Sequence, residues 1–352
     1  MAVAVQPGRP VRVLVVDDSP LLRRLISELL SADPGIEVVG TAADPFIARE
    51  KIKLLAPDVL TLDIEMPRMD GLTFLRNLMR LRPMPVVMVS TLTRAGAQVT
   101  LDALAAGAVD FVPKPGAHPA DGFGEYARVL VEKVKHAAHA RMAVLAPVIA
   151  AAPAAGTTCF RSDNRVIALG ASTGGTEALR ELLMRFPADA PPTVIVQHIP
   201  ATFSAAFAQR LDRLTALSVR EADDGDVLRP GHAYVAPGGR HLRIERRGGQ
   251  WRCQLRDDAP LRLHRPSVDA LFESLAQSAG RSVRAALLTG MGDDGARGLR
   301  ALRDAGATTF AQDRETSVVW GMPGAAVARD AACEVLSLSQ LGGRLLASTL
   351  DE

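Results

Sequence analysis

The sequence has few cysteines and no cysteine spacing that is typical of a structural site. Cys159, Cys253 and Cys333 are the three cysteines among 352 residues, and they lie far apart with no CxxC motif. Such a set predicts neither a disulfide framework nor a cysteine-based zinc site. We therefore expect reduced thiols in a cytoplasmic protein.

The sequence also lacks a long hydrophobic run. Its longest apolar stretch, 143–155, is rich in alanine and proline and is too short to cross a bilayer. The first residues do not show the charged region, apolar region and cleavage site of a signal peptide. We expect a cytoplasmic protein with no direct membrane insertion.

Charge of one sign is not in excess. The formal net charge is +2, and the basic residues, most of them arginine, are scattered among acidic ones. Nucleic-acid binding needs a dense basic patch or a recognition helix, and neither pattern occurs, so we expect no nucleic-acid partner. With 48% hydrophobic and 23% charged residues, the composition is that of a globular protein.

Two segments with alternating strand and helix patterns flank a stretch of different composition. In 1–135, short apolar runs alternate with amphipathic helix patterns, which predicts a parallel sheet between helices. Small residues and proline dominate 136–163, which predicts a semi-stiff linker. A second alternating pattern fills 164–352. The expected fold class is α/β, with two doubly wound, mainly parallel-sheet domains.

Polar side chains follow the strands of the first domain. They are Asp17 and Asp18 after the first strand, Asp63 at the end of the third, Ser90 at the end of the fourth and Lys114 after the fifth. Carboxyl ends of parallel strands share one edge of the sheet, so these side chains should cluster. Three clustered carboxylates repel each other unless a cation lies among them, and oxygen ligands suit Mg²⁺. A carboxylate beside this metal can attack a phosphoryl group.

The first segment resembles the receiver domain of two-component response regulators. The resemblance rests on these positions and on the runs DVLTLDIEMPRMDGL at 58–72 and FVPKP at 111–115. It implies a flavodoxin-like fold with Asp63 as the phosphoacceptor and a cis bond between Lys114 and Pro115. The Mg²⁺ ligands that it implies are Asp17, Asp18 and Asp63. The switch residues that it implies are Ser90, Phe111 and Lys114.

In the second domain, three strand ends carry the side chains of a serine hydrolase. Ser172 lies in GASTGG at 170–175, a strand-to-helix turn of the G-x-S-x-G type. His198 ends the next strand, and Asp294 lies in a glycine-rich loop after a later strand. A nucleophile, a base and an orienting carboxylate would thus share one sheet edge. The chain order Ser, His, Asp argues against an ordinary α/β-hydrolase, in which the acid precedes the histidine.

These residues by themselves leave alternatives open. A glycine-rich turn before a helix also binds phosphate groups, so the second domain could be a phosphorylation-regulated binding module without catalysis. An esterase that acts on another protein or on a small-molecule ester fits the same pattern. The neighbouring Asp293 also competes with Asp294 for the place beside the histidine.

The whole chain resembles the chemotaxis protein-glutamate methylesterases, which join a receiver, a linker and an esterase domain in this order. In the second domain the resemblance rests on the three motifs above, on YVAPGGRHL at 234–242 and on RPSVDALFES at 265–274. It implies a Rossmann-like domain with Ser172 as nucleophile, His198 as base and Asp294 as orienting acid. The supporting residues that it implies are Thr173, beside the nucleophile, and Met291, whose N–H is a candidate oxyanion donor.

The same resemblance implies a substrate and a partner. The expected reaction is phosphorylation-activated hydrolysis of glutamate 5-O-methyl esters on the cytoplasmic helices of methylated chemoreceptors, with glutamine deamidation as a further reaction. The expected phosphodonor is a chemotaxis histidine kinase. We expect Mg²⁺ at the receiver, no cofactor for the ester chemistry, and a monomer.

Overall fold

The computed structural model describes residues 9–115, 122–142, 165–261 and 264–347. Contacts within the chain divide it into two compact units, with the division between residues 148 and 149. The predicted linker 136–163 stays a prediction, because its residues from 143 onward lie outside the described ranges. Within those ranges, no helix combines the length and apolar character needed to cross a bilayer.

The first unit is a five-stranded parallel sheet with helices between successive strands. Its strands are β1 (Val11–Val16), β2 (Ile36–Ala42), β3 (Val59–Asp63), β4 (Val86–Ser90) and β5 (Asp110–Pro113). Its helices are α1 (Pro20–Ser31), α2 (Pro45–Leu55), α3 (Gly71–Leu81), α4 (Arg94–Ala105) and α5 (Gly122–Ala138). The strand order β2-β1-β3-β4-β5 reverses direction between β1 and β3, and ligands of such sheets bind at the carboxyl ends of those two strands.

Local sequence explains where these elements begin. The side chains of Ser19, Asp44, Asp70 and Thr93 cap the first four helices by accepting hydrogen bonds from N–H groups of the first turn. Every residue of β3 and β4 is buried, which is why both strands are uninterrupted apolar runs apart from Thr61, Asp63 and Ser90. Two of these three polar residues, Asp63 and Ser90, lie at the carboxyl ends of their strands.

The second unit is built on a seven-stranded parallel sheet. Its strands are β6 (Val166–Ala171), β7 (Thr193–Gln197), β8 (Ser218–Glu221), β9 (His232–Val235), β12 (Val283–Leu287), β13 (Thr308–Gln312) and β14 (Glu334–Leu336), and an antiparallel hairpin consists of β10 (His241–Arg247) and β11 (Gln250–Arg256). Its helices are α6 (Gly175–Leu183), α7 (Ala201–Leu214), α8 (Val268–Ser278), α9 (Ala296–Asp304), α10 (Met322–Ala328) and α11 (Leu338–Leu346). The strand order β14-β13-β12-β6-β7-β9-β8 places β6 between β12 and β7.

The start of α8 packs on the end of β6. An added Cβ at Gly170 would lie 2.3 Å from Val268 Cγ1, so a larger residue at this position would push the helix away. On its other sides α8 packs against α9 and β10, with Phe272 and Leu271 fully buried in the core. This packing brings the N-terminus of α8 to the carboxyl edge of the sheet.

The two parallel sheets confirm the predicted fold class. The sequence patterns did not predict some of the elements of the second unit. Among them are α7, which follows His198, and the later elements β13, α10, β14 and α11. Short apolar runs such as TVIVQ at 193–197 form the strands of these sheets, as the alternating pattern predicts.

Candidate active site

Ser172, His198 and Asp294 follow three neighbouring strands. Ser172 comes directly after β6, His198 directly after β7, and Asp294 lies in the loop that leaves β12. The backbone N–H of Ser172 donates to Thr289 O at 3.0 Å, and the N–H of His198 donates to Ala171 O at 3.1 Å. These bonds extend the strand ladder beyond the named strands and hold the three segments together.

The turn that carries Ser172 depends on glycine. Gly174 has a φ of +75°, and a Cβ at this residue would lie 2.7 Å from Val318 Cβ. A Cβ at Gly290 would lie 2.8 Å from Ser172 Cβ. The turn closes with a 2.7 Å hydrogen bond from Gly175 N to Ser172 O, which leaves the half-buried serine ahead of α6.

The ring of His198 is fixed through one nitrogen. Its Nε2 lies 2.8 Å from Asp294 Oδ2, and the two side chains are 8% and 1% exposed. Its Nδ1 is buried and has no hydrogen-bond partner within the described part of the chain. Since Nε2 faces the carboxylate, Nδ1 is the nitrogen that remains to accept a proton.

Asp294 is held ionised by His198 and by the N-terminus of α8. Its carboxylate accepts hydrogen bonds from Ser267 Oγ at 2.8 Å, Val268 N at 2.7 Å and Asp269 N at 3.2 Å, in addition to the His198 contact. Burial by itself would raise the pKa of Asp294, but the hydrogen bond and charge of His198 and the bonds from Val268 and Ser267 hold that pKa well below its ordinary value. The partial positive charge of a helix N-terminus acts in the same direction.

The neighbouring acid, Asp293, faces another way. Its side chain is 40% exposed and lies 3.4 Å from the guanidinium of Arg329. Of the two adjacent aspartates, Asp294 is therefore the one that contacts the histidine.

Thr173 and Met291 lie on the two segments that border Ser172. Thr173 is buried, and its carbonyl accepts a hydrogen bond from Thr289 Oγ1 at 3.0 Å. Met291 is half-buried and directly follows Gly290, the residue that approaches the Ser172 backbone. The role of their N–H groups as oxyanion donors stays a prediction.

The acidic cluster of the first unit forms at the predicted edge. Carboxylate oxygens of Asp17, Asp18 and Asp63 lie within 4.8 Å of one another, and Asp17 Oδ2 and Asp63 Oδ2 are buried without a hydrogen-bond partner in the described ranges. Burial and the charge of Asp63 raise the pKa of Asp17 to about 6. Burial also raises the pKa of Asp63, although the Lys114 Nζ at 2.8 Å opposes this. Unpartnered, closely spaced carboxylate oxygens fit a hard cation such as Mg²⁺.

Of the three predicted switch residues, Ser90 and Phe111 are buried and Lys114 is half-buried. Ser90 accepts a 2.6 Å hydrogen bond from Thr100 Oγ1, and Phe111 is 4% exposed, with the Lys133 Nζ 5.1 Å from its ring centre. The prediction of a cis bond between Lys114 and Pro115 is wrong, since the cis bond in the described residues is Arg265–Pro266. With a trans bond, Lys114 N pairs with Ser90 O at 2.6 Å while its side chain reaches Asp63.

Comparison with known proteins gives the family. A model of the CheB methylesterase matches residues 167–345, and a model of the response regulator receiver domain matches residues 13–120. The chain belongs to the CheB methylesterase family. The predicted family, both domain types and the methylesterase class are thereby confirmed.

Relatives in this family match nearly the whole chain. A protein-glutamate methylesterase/protein-glutamine glutaminase from Xanthomonas campestris is 58% identical, with 96% of this chain and 97% of the relative covered. A protein of the same name from Bordetella pertussis is 52% identical with the same coverage. The crystal structure of the Thermotoga maritima CheB methylesterase catalytic domain is 35% identical, covers 52% of this chain and 97% of that one, and has a TM-score of 0.51.

Gln197 is a site residue of this CheB family member that the sequence analysis missed. Its Nε2 donates to the carbonyl of Ser172 at 2.9 Å and to the carbonyl of His198 at 3.2 Å. One amide therefore ties the serine turn to the backbone of the histidine. The sequence feature that could have identified Gln197 is its position directly before His198, at the end of a buried strand.

Ser267 contributes more than the helix cap that its sequence context predicts. It does accept a hydrogen bond from Ala270 N, as an N-cap should. Its hydroxyl also donates to Asp294 Oδ1. This second contact depends on residues 27 positions apart, which no local pattern reveals.

Replacing Gln197 by glutamate is expected to lower the kcat for methanol release from protein glutamate methyl esters by about 10-fold or more. An ionised carboxylate has no proton to donate and would repel the carbonyls of Ser172 and His198, and small misplacement of reacting groups is costly. The control is Gln340→Glu, since Gln340 uses its oxygen to accept from Ser337 in a capping box, which glutamate also does. Equal kcat values for the two variants would contradict a positioning role for Gln197.

Proposed function

We propose that this protein hydrolyses glutamate 5-O-methyl esters on the cytoplasmic helices of chemoreceptors and deamidates receptor glutamines, as an adaptation enzyme of chemotaxis. The observation that carries the proposal is the buried hydrogen bond between His198 and Asp294 beside the Ser172 turn. The double name of the Xanthomonas and Bordetella relatives supports both reactions.

In the first half-reaction Ser172 becomes acylated. His198 Nδ1 accepts the proton of Ser172 Oγ while this oxygen bonds to the ester carbonyl carbon. The carbonyl bond re-forms as the C–O bond to the methoxy group breaks, and His198 gives its proton to this group, which leaves as methanol. Asp294 stays ionised and stabilises the imidazolium that forms between the two proton transfers.

In the second half-reaction water replaces the serine. His198 accepts a proton from water, the water oxygen bonds to the acyl carbon, and Ser172 leaves with a proton from His198. The product is a glutamate carboxylate. With a glutamine side chain the first leaving group is ammonia, and the same acyl-enzyme gives the same glutamate product.

The substrate carbonyl oxygen becomes negatively charged when Ser172 attacks, and this charge needs hydrogen-bond donors near Ser172. We assign this task to backbone N–H groups of Thr173 and Met291, which border the serine on two sides. Removal of one such donor typically costs about 10²- to 10³-fold in rate.

The receiver domain supplies regulation. Asp63 accepts the phosphoryl group from a chemotaxis histidine kinase. Asp17, Asp18 and Asp63 would hold Mg²⁺, which would offset the negative charge of the phosphoryl oxygens. Lys114 stabilises the oxygens of the modified Asp63, and Ser90 and Phe111 respond to the new charge. The enzyme acts as a cytoplasmic monomer whose domains are 1–135 and 164–352, joined by the linker 136–163.

The test is methanol release from a methylated chemoreceptor, with and without a small phosphodonor. We expect the donor to raise the rate of the wild type in the presence of Mg²⁺, and a chelator to abolish this rise because the three carboxylates then lack their cation. In Asp63→Asn the ratio of the two rates should be one. A donor effect that persists in Asp63→Asn would contradict the proposed phosphorylation site, and absence of methanol release under all conditions would contradict the proposed substrate.

A further inference from the structure

A second histidine lies directly on the ring of His198. The ring centres of His264 and His198 are 3.8 Å apart, and their planes differ by 11°. This is a stacked arrangement with the two rings in van der Waals contact. His264 has no place in the proposed proton transfers.

Backbone hydrogen bonds hold His264 in this place. Its N–H donates to Leu261 O at 2.8 Å, and its carbonyl accepts from Leu261 N at 3.1 Å, so the backbones of the two residues pair. Next along the chain, the carbonyl of Arg265 accepts from Gly239 N at 2.9 Å. The imidazole is therefore carried by a backbone that is hydrogen-bonded at His264 and at the next residue.

The same short segment also holds the acid. Ser267 Oγ and Val268 N donate to the carboxylate of Asp294, three and four residues after His264. Residues 264–268 thus contact the base through a ring face and the acid through hydrogen bonds. Such a segment sets the position of both groups relative to each other.

The stacking contact restricts a rotation of the His198 ring that its hydrogen bond to Asp294 leaves possible. The torsion that turns an imidazole about its Cβ–Cγ bond has a broad energy profile, and the ring has a partner on Nε2 while Nδ1 awaits a proton. A flat ring against its face limits this rotation.

We propose that His264 is a positioning residue, which keeps the plane of His198 aligned so that Nδ1 points at Ser172 Oγ. The inference rests on the proposed function of Ser172 and His198. It assigns the effect to the flat shape of the side chain at 264 and not to its proton.

Three substitutions separate shape from simple filling of space. His264→Phe keeps a flat ring, His264→Leu fills the space without one, and His264→Ala removes the contact. Because misplacement by about 1 Å can cost about 100-fold in rate, we expect a fall in kcat of about 10- to 100-fold for the leucine and alanine variants. The phenylalanine variant should stay within about threefold of the wild type, and KM should change little in all three, since binding of the receptor is left intact.

The matched control is His232→Ala. His232 begins β9 at the opposite edge of the sheet, where its ring centre is 6.3 Å from that of Tyr234. Its kcat should equal that of the wild type. Thermal unfolding midpoints of all variants are measured alongside, so that a folding defect is recognised, and the leucine variant replaces the alanine variant if the latter does not fold.

The outcomes separate this inference from the function on which it rests. Methanol release by the wild type and its loss in Ser172→Ala are measured first and test the proposed function without reference to His264. A His264→Leu variant with wild-type kcat would overturn the inference. A His264→Phe variant as slow as His264→Leu would overturn it too, because shape would then not be the property that matters.

Discussion

Methanol release from a methylated chemoreceptor is expected to fall about 10⁶-fold in kcat when Ser172 is replaced by alanine, a loss typical of removing the nucleophile of a serine hydrolase. The reason is geometric as well as chemical. Ser172 is the serine of the glycine-dependent turn between β6 and α6, and alanine leaves that turn intact while it removes the attacking oxygen.

The control for this variant is Ser218→Ala. Ser218 is exposed at the start of β8, the amino end of an edge strand, and should have no effect on kcat. Reaction with a fluorophosphonate followed by peptide mapping gives an independent readout, with the label expected on Ser172. Methanol release by Ser172→Ala at the rate of the wild type, or a label on another serine, would rule out Ser172 as the nucleophile.

The second large effect is expected from the pair of adjacent aspartates. Asp294→Asn should lower kcat by about 10⁴-fold, because an amide cannot hold the imidazole in the required tautomer or stabilise the imidazolium. Asp293→Asn should stay within about twofold of the wild type, since surface ion pairs such as that with Arg329 contribute little. The two variants differ by one position in the chain and make the same chemical change.

The substitution of Asp294 should also lower the thermal stability of the protein more than that of Asp293. Asp294 accepts hydrogen bonds from Ser267, Val268 and Asp269, and an asparagine turns an NH₂ group toward some of these donors. A buried donor without a partner costs about 1–3 kcal/mol, so the thermal unfolding midpoint of Asp294→Asn should fall and that of Asp293→Asn should not. An inactive Asp293→Asn beside an active Asp294→Asn would reverse the assignment of the orienting acid.

Much of the fold is readable in the sequence because parallel strands leave simple patterns. Buried strands such as β3 and β7 are short apolar runs, and their ends are marked by polar residues or by glycine-rich turns. Helices with a clear cap, such as α1 after Ser19 and α8 after Ser267, begin directly after a serine, which is a residue type that favours this position. The elements near the end of the chain are less readable, because β14 is three residues long with an exposed middle residue and α10 has no side-chain cap.

The same reasoning explains which site residues were found. In a parallel sheet the carboxyl ends of all strands share an edge, so a serine, a histidine and an aspartate at three strand ends are predicted to meet without knowledge of the strand order. The acidic cluster of the receiver domain was found in the same way. Whether a residue lies at the end of a strand can be read from the residues next to it in the sequence.

The sequence by itself determined the two-domain α/β architecture, the family, and the positions of Ser172, His198 and Asp63 at strand ends. The tertiary structure decided which of two adjacent aspartates faces the histidine, which ring nitrogen it leaves for the proton, and that Gln197 and His264 join the site. The physical reason is distance along the chain. His198 and Asp294 are 96 residues apart, and contacts between such residues depend on side-chain directions that only the packing of α8 against the sheet specifies.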